Sequence, residues 1–278
     1  MLESRPLGSR GPLVPIIGQG TWNMELDRSN AIAALRRGLE LGLTHIDTAE
    51  MYGSGAVEEV VGAAIAGRRD GVFLVSKVMS QNAAYQATLR SCEGSLGRLG
   101  TDRLDLYLLH APSRHPFEET VRAMSDLMEA GKIRSFGVSN FDSHQLDRAV
   151  VIAGPGAVAC NQVCYHLKRR RIEHDLLPRC LGHGVAVVGY SPFANGDFPS
   201  DNPVLDAIAR AHGASPRQVA LRFLVRQPGV FTIAKSSRVA HIEEIAATAT
   251  LELSTDDLNR LDVAFPLGPI GQTVPRRT

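Results

Sequence analysis

Eight short apolar runs, divided by segments with helical spacing, constrain the fold of this chain more tightly than any other feature. They are IIGQGT from Ile16, THIDTA from Thr44, VFLVSKV from Val72, LDLYLLH from Leu104, IRSFGVSN from Ile133, VACNQV from Val158, VAVVGYSP from Val185 and VFTIAKS from Val230. Successive runs start about 28 residues apart, the length of one strand, one helix and their two connections. The last interval is longer, which predicts an insertion before the eighth strand.

Between the runs, Val57, Val60, Val61, Ala64 and Ile65 share one helical face. So do Val121, Met124, Leu127 and Met128 beside Arg122, Asp126 and Glu129, and likewise Ile242, Ile245, Ala246 and Ala249. Gly131 stands where the second of these helices would stop. Strands that are apolar on both faces and alternate with helices require a parallel sheet covered on both sides. Eight such units with right-handed crossovers close into a (β/α)8 TIM barrel, an α/β fold expected to take residues 1–278 as one domain. The competitor is a doubly wound open sheet. Against it, the first strand-to-helix junction, IIGQGTWNMELD, holds no G-x-G-x-x-G, and Gly53-Ser54-Gly55 lacks a third glycine at the required place.

Charge narrows the partners. With 30 basic and 29 acidic residues among 278, the net charge of +1 creates no field that would draw the chain to nucleic acid or a membrane surface. The opening MLESRPLGSR has no apolar core, and nowhere do about 18 uncharged apolar residues run together, so a cytoplasmic protein without signal peptide or membrane span is expected. The expected partner is a small molecule and the expected state a monomer. Of Cys92, Cys160, Cys164 and Cys180, one pair has CxxxC spacing, unlike the common zinc knuckles, and lies in an apolar stretch; buried free thiols and no metal are expected.

In barrels of this kind chemistry is done at the C-terminal strand ends and the loops beyond them. Three ends here are polar and carry four residues: the second run leads into Asp47 and then Tyr52, the third ends at Lys77, and the fourth ends at His110. Singly, Asp47 could cap a helix, Tyr52 could be a rim aromatic, Lys77 could snorkel and His110 could be a satisfied core histidine. Together they are harder to dismiss. Lys77 is one of four lysines and follows a nearly unbroken apolar stretch, where its charge would be costly without a partner such as Asp47. A tyrosine hydroxyl, with a reference pKa of about 10, becomes a better acid beside an ammonium. His110 could then orient a carbonyl oxygen while Tyr52 delivers its proton. The group holds no obvious nucleophile, so it suits a reaction whose nucleophile arrives from elsewhere, such as a hydride from a nicotinamide.

HIDTAEMYG, VSKV, LYLLH, GVSNF, NQVCYH, GYSPF and IAKSSR, in this order and spacing, resemble the motifs of the aldo-keto reductases, from GQGTW at Gly18 to DLNRLD near Leu261. The resemblance implies a short N-terminal β-hairpin, here roughly Arg5 to Ile17, and reduction of small aldehydes or ketones with NADPH. AEMYG, NQVCYH and the later DLLP resemble most the bacterial reductases of methylglyoxal and similar small aldehydes. Carried over, the family's catalytic residues fall on Asp47, Tyr52, Lys77 and His110, with Tyr52 as the acid. Contacts to the cofactor fall on Gly20, Thr21 and Asp47, on Ser139, Asn140 and Gln162 for the carboxamide, and on Tyr190 for the nicotinamide ring. Ser191 and the insertion Phe193 to Pro203 would lie by the pyrophosphate. Lys235, Ser236, Ser237 and Arg238 would hold the 2′-phosphate where a helix begins, with Glu244 near the adenine.

Three departures bear on the cofactor. Ala234 stands where the family usually has proline, His241 where a second arginine often holds the phosphate, and Ile245 where asparagine is common. NADH therefore stays open beside NADPH. Trp22, the only tryptophan, is expected to wall the substrate pocket with Tyr52, His110, Phe141 and Phe193, and the short tail PLGPIGQTVPRRT to leave the mouth open. Two other functions compete. A Schiff-base lyase would use Lys77 as an amine and need no phosphate site; a cofactor-binding regulatory subunit would need none of the four residues Asp47, Tyr52, Lys77 and His110.

Overall fold

A computed structural model describes residues 3–269 and turns the eight apolar runs into eight parallel strands. These are β3 (Ile17–Gly20), β4 (His45–Asp47), β5 (Phe73–Val78), β6 (Leu106–Leu109), β7 (Phe136–Ser139), β8 (Val158–Cys164), β9 (Ala186–Tyr190) and β10 (Val230–Lys235). They close as one barrel in chain order, with β10 pairing β3. Ahead of them, β1 (Ser4–Pro6) and β2 (Leu13–Pro15) form the expected hairpin. Its Leu7 and Val14 are buried in the same cluster as Leu106 and Cys160, and the Ser9 N–H donates to the Gly184 carbonyl just ahead of β9, so the hairpin covers the N-terminal end of the barrel.

Around the strands lie α1 (Arg28–Glu40), α2 (Ala56–Ile65), α3 (Tyr85–Leu99), α4 (Phe117–Glu129), α5 (Ser143–Ala153) and α6 (Leu176–Gly182). The expected insertion before the last strand includes an additional helix: α7 (Pro203–Ala211) precedes α8 (Pro216–Leu224). Asn202 caps α7 through its side chain and proline takes the first turn, where a missing N–H costs nothing. The chain continues through α9 (Val239–Ala247) and α10 (Thr255–Ala264). Gly131 ends α4 at φ 71°.

Alternation along each strand sorts the side chains into two layers. Tyr107 and Leu109 pack outward with Met124 and Leu127 of α4, whereas Leu106 and Leu108 join Val75, Ala186, Val188 and Phe231 inside. Cys92, Cys160 and Cys180 are buried, Cys164 is half-buried, and all four are free thiols. Among the described residues no helix is long and apolar enough to cross a membrane, and no group of three or more His, Cys, Asp or Glu is placed to hold a metal. The tail expected to leave the mouth open runs past Gly268, and residues 270–278 lie outside the described ones.

Candidate active site

The same alternation selects the lining of the barrel mouth. Counting inward from Leu108, Val75, Cys160, Val188 and Phe231 in steps of two brings His110, Lys77, Gln162, Tyr190 and Lys235 to the inner face at the C-terminal ends. Gly20 and Asp47 are register partners at the ends of β3 and β4, and Ser139 ends β7. Each of the eight strands therefore contributes one of the predicted residues to a single ring.

Lys77 organises the centre. It is fully buried, and its Nζ donates to Asp47 Oδ1 at 2.5 Å, to the Thr48 carbonyl at 2.8 Å and to the Tyr52 hydroxyl at 3.3 Å. Burial alone would depress this amine, but the Asp47 carboxylate and the Tyr52 phenol outweigh it and hold the ammonium above the usual lysine range. Asp47 Oδ2 accepts from Gln162 Nε2 at 2.7 Å, so both carboxylate oxygens are engaged. Thr21 donates to the Asp47 carbonyl at 2.9 Å. The His110 ring lies edge-on to Tyr52, 5.7 Å between centroids at 78°. A phenol, an ammonium and an imidazole thus meet on one surface, with the carboxylate behind.

Beside them, Asn140 sits at φ 60°, a left-handed backbone that asparagine tolerates better than most residues. Its Nδ2 donates to the His110 carbonyl and to Ser139 Oγ, both at 3.1 Å, and its Oδ1 accepts from the Tyr190 hydroxyl at 2.8 Å. Ser139 Oγ donates to the Gln162 carbonyl at 2.9 Å. Ser139, Asn140, Gln162 and Tyr190 therefore form one polar wall between β7, β8 and β9.

A second cleft of about 210 Å³ opens where β10 ends, lined by Lys235, Ser236, His241 and Glu244 with Arg217, Gln218, Phe193 and Phe198. Lys235 is exposed at the strand end, and Ser236 Oγ accepts the Arg238 N–H at 3.1 Å as α9 begins; half-buried Ser237 lies between them. Arg217 lies over both Phe193 and Phe198, and Glu244 accepts from Ser215 Oγ. Cations beside a helix start, next to aromatic faces, make a lining whose chemistry fits a phosphate and an adjoining flat ring.

Not every expected residue joins these groups. Phe141 is buried between strands and helices, 5.7 Å from the Phe117 ring, because the left-handed Asn140 turns the chain out of the strand's alternation. Phe193 belongs to the second cleft rather than beside Tyr52, after the chain turns at Ser191, φ 55°. Trp22 follows Thr21 at the mouth and is 48% exposed. Phe198 comes from the Phe193 to Pro203 insertion, whereas Arg217 and Gln218 were not anticipated: they reach the cleft only through tertiary packing, although the Ser215-to-Gln218 capping box at the start of α8 is a readable signal for where that helix begins.

Comparison with known proteins identifies the family. The aldo/keto reductase family profile matches residues 16–264. The chain is 47% identical to the Escherichia coli methylglyoxal reductase YeaE over 94% of each chain, and 36% identical to a Bacillus subtilis glyoxal reductase over 91% of this chain and 89% of the relative. Its structure is similar to that of a Klebsiella pneumoniae aldo/keto reductase solved with NADP and acetate, with a TM-score of 0.93 and 41% identity over 99% of each chain. The chain belongs to the aldo/keto reductase family, an oxidoreductase family built on the (β/α)8 barrel.

Proposed function

We propose that this enzyme reduces small aldehydes and ketones, methylglyoxal among them, to alcohols, with NADPH as its cofactor and Tyr52 as the proton donor. The observation that carries the reading is Lys77, buried with its ammonium bound to both Asp47 and the Tyr52 hydroxyl. An ammonium held charged by a carboxylate is a poor amine nucleophile, which disfavours a Schiff-base reaction at this lysine. NADPH, when bound, supplies the hydride for the carbonyl carbon.

Tyr52 gives its proton to the carbonyl oxygen as negative charge develops there, and Lys77 stabilises the phenolate left behind. Asp47 keeps Lys77 charged and in place. His110, edge-on to Tyr52, orients the same oxygen, so the carbonyl is held by two groups on one side. Trp22 at the mouth offers an apolar wall for a small substrate. Ser139, Asn140 and Gln162 would hold the carboxamide, and Tyr190, its hydroxyl fixed by Asn140, would present its ring to the nicotinamide. Gly20 and Thr21 would line the neighbouring edge. Ser191, Lys235, Ser236, Ser237 and Arg238 would take the phosphates, with Glu244 near the adenine.

The names of the Escherichia coli and Bacillus subtilis relatives, and the NADP in the Klebsiella pneumoniae structure, support this substrate and cofactor class. NADPH oxidation with methylglyoxal and a short aldehyde panel, run beside NADH, tests it. We expect turnover with NADPH above that with NADH. Failure both to bind NADPH and to consume it with any carbonyl would refute the reading.

A further inference from the structure

We propose that Glu50 is a positioning residue for Tyr52, fastening the loop that carries the phenol to the loop that follows Lys77. The inference rests on the reading of Tyr52 as proton donor. Glu50 lies between Asp47 and Tyr52 in sequence and is buried, 9% exposed. Its Oε1 accepts the Met79 N–H at 2.7 Å and Asn82 Nδ2 at 3.0 Å, and its own N–H donates to the Lys77 carbonyl at 3.4 Å. Among the described residues no lysine or arginine pairs with it. Neutral donors alone, with no cation, fix this carboxylate oxygen, and both come from the loop after β5. Such a group at the edge of a reactive centre serves placement rather than stability.

The bonds continue sideways around the mouth. Ser80 Oγ donates to the Ala111 carbonyl at 3.2 Å and Ser113 Oγ to the Ser80 carbonyl at 2.6 Å, which ties the loop after β5 to the loop that starts at His110. Asn140 Nδ2 then holds the His110 carbonyl at 3.1 Å. The 5.7 Å separation of the Tyr52 and His110 rings is spanned by this chain of bonds, and Glu50 is its attachment on the Tyr52 side. Without Glu50 the phenol would keep its contact with Lys77 but lose its fixed distance from His110.

The test is steady-state reduction of methylglyoxal by wild type, Glu50→Ala, Glu50→Gln and Asn82→Ala, with the NADPH Kd from fluorescence quenching. A small displacement of an oriented acid costs rate rather than binding, so Glu50→Ala should lower kcat about tenfold with KM and NADPH Kd within about twofold of wild type. Glu50→Gln keeps an Oε1 that accepts the same two bonds and should hold kcat within about threefold of wild type, with Asn82→Ala between the two. If Glu50→Ala does not fold, Asn82→Ala decides by the same criterion. An unchanged kcat, a loss that glutamine does not restore, or a parallel loss of NADPH affinity overturns the proposal alone. A wild type that turns over no carbonyl overturns the reductase reading and this proposal with it.

Discussion

Removing the Lys77 charge should cost the fold more than removing the whole ion pair. Lys77 and Asp47 are 0% and 1% exposed and 2.5 Å apart. At an effective dielectric of about 20 their attraction is roughly 6–7 kcal/mol, opposed by a desolvation penalty of several kcal/mol for each ion. The two nearly cancel, so the intact pair stabilises little. Lys77→Met leaves Asp47 buried with only the Gln162 amide and should lose about 3–5 kcal/mol. Asp47→Asn leaves the ammonium with the Thr48 carbonyl and Tyr52 and should lose a comparable amount, about 3 kcal/mol. The double variant leaves no unpaired charge and should lose less than Lys77→Met alone, so its loss should fall short of the sum of the singles by more than the Asp47→Asn loss of about 3 kcal/mol. Urea denaturation near neutral pH measures all three. Additivity within about 0.5 kcal/mol would refute the reasoning. The double variant should also be inactive although stable, which separates what the pair does for chemistry from what it does for folding.

Three further outcomes follow from single residues. Burial, helped by the nearby Lys77 charge and opposed by Asp47, pushes the His45 imidazole down to about 4 from 6.5, so the unfolded chain takes up the proton first. Stability is therefore lost as pH falls from 6.5 toward 4; between about pH 7 and about pH 5 His45 should account for about 2 kcal/mol, and denaturation of His45→Asn should show a correspondingly shallower pH dependence. Glycine-to-alanine changes should differ in sign. Gly97→Ala in α3, with open space around it, should stabilise by about 0.5–1 kcal/mol, whereas Gly38→Ala in α1 would drive a Cβ to 2.2 Å from Gln19 Oε1 and should lower the Tm. The Gln19 side chain cannot yield there, because it holds the Leu43 carbonyl at 2.9 Å. Lys235→Ala should raise the KM for NADPH about tenfold or more and leave that for NADH nearly unchanged, since only the former carries the extra phosphate. Equal effects on both cofactors would remove Lys235 from the phosphate site.

Much of this molecule is legible because a strand's alternation is strict. Each apolar run predicts a buried strand, and an unexpected polar residue at its end, such as Lys77 or His110, is aimed inward by the same two-residue period that aims Leu108. Legibility fails where the period stops. Phe141 stands two residues beyond inward Ser139, but Asn140 at φ 60° breaks the count and sends the ring outward. Arg217 and Phe198 come from separate elements of the insertion region and meet Lys235 only after folding. Glu50 looks like an ordinary acidic loop residue until Met79 and Asn82, from a different loop, are seen to converge on its carboxylate.

The most direct test of the proposed chemistry is transfer from NADPH carrying deuterium at both C4 positions to methylglyoxal, in wild type and in Tyr52→Phe. Wild type should yield an alcohol with one deuterium on the former carbonyl carbon. Tyr52→Phe should bind the cofactor with similar affinity yet form product at about 1% of the wild-type rate or less. Unlabelled alcohol from wild type, or labelled alcohol formed as fast by Tyr52→Phe, would contradict it.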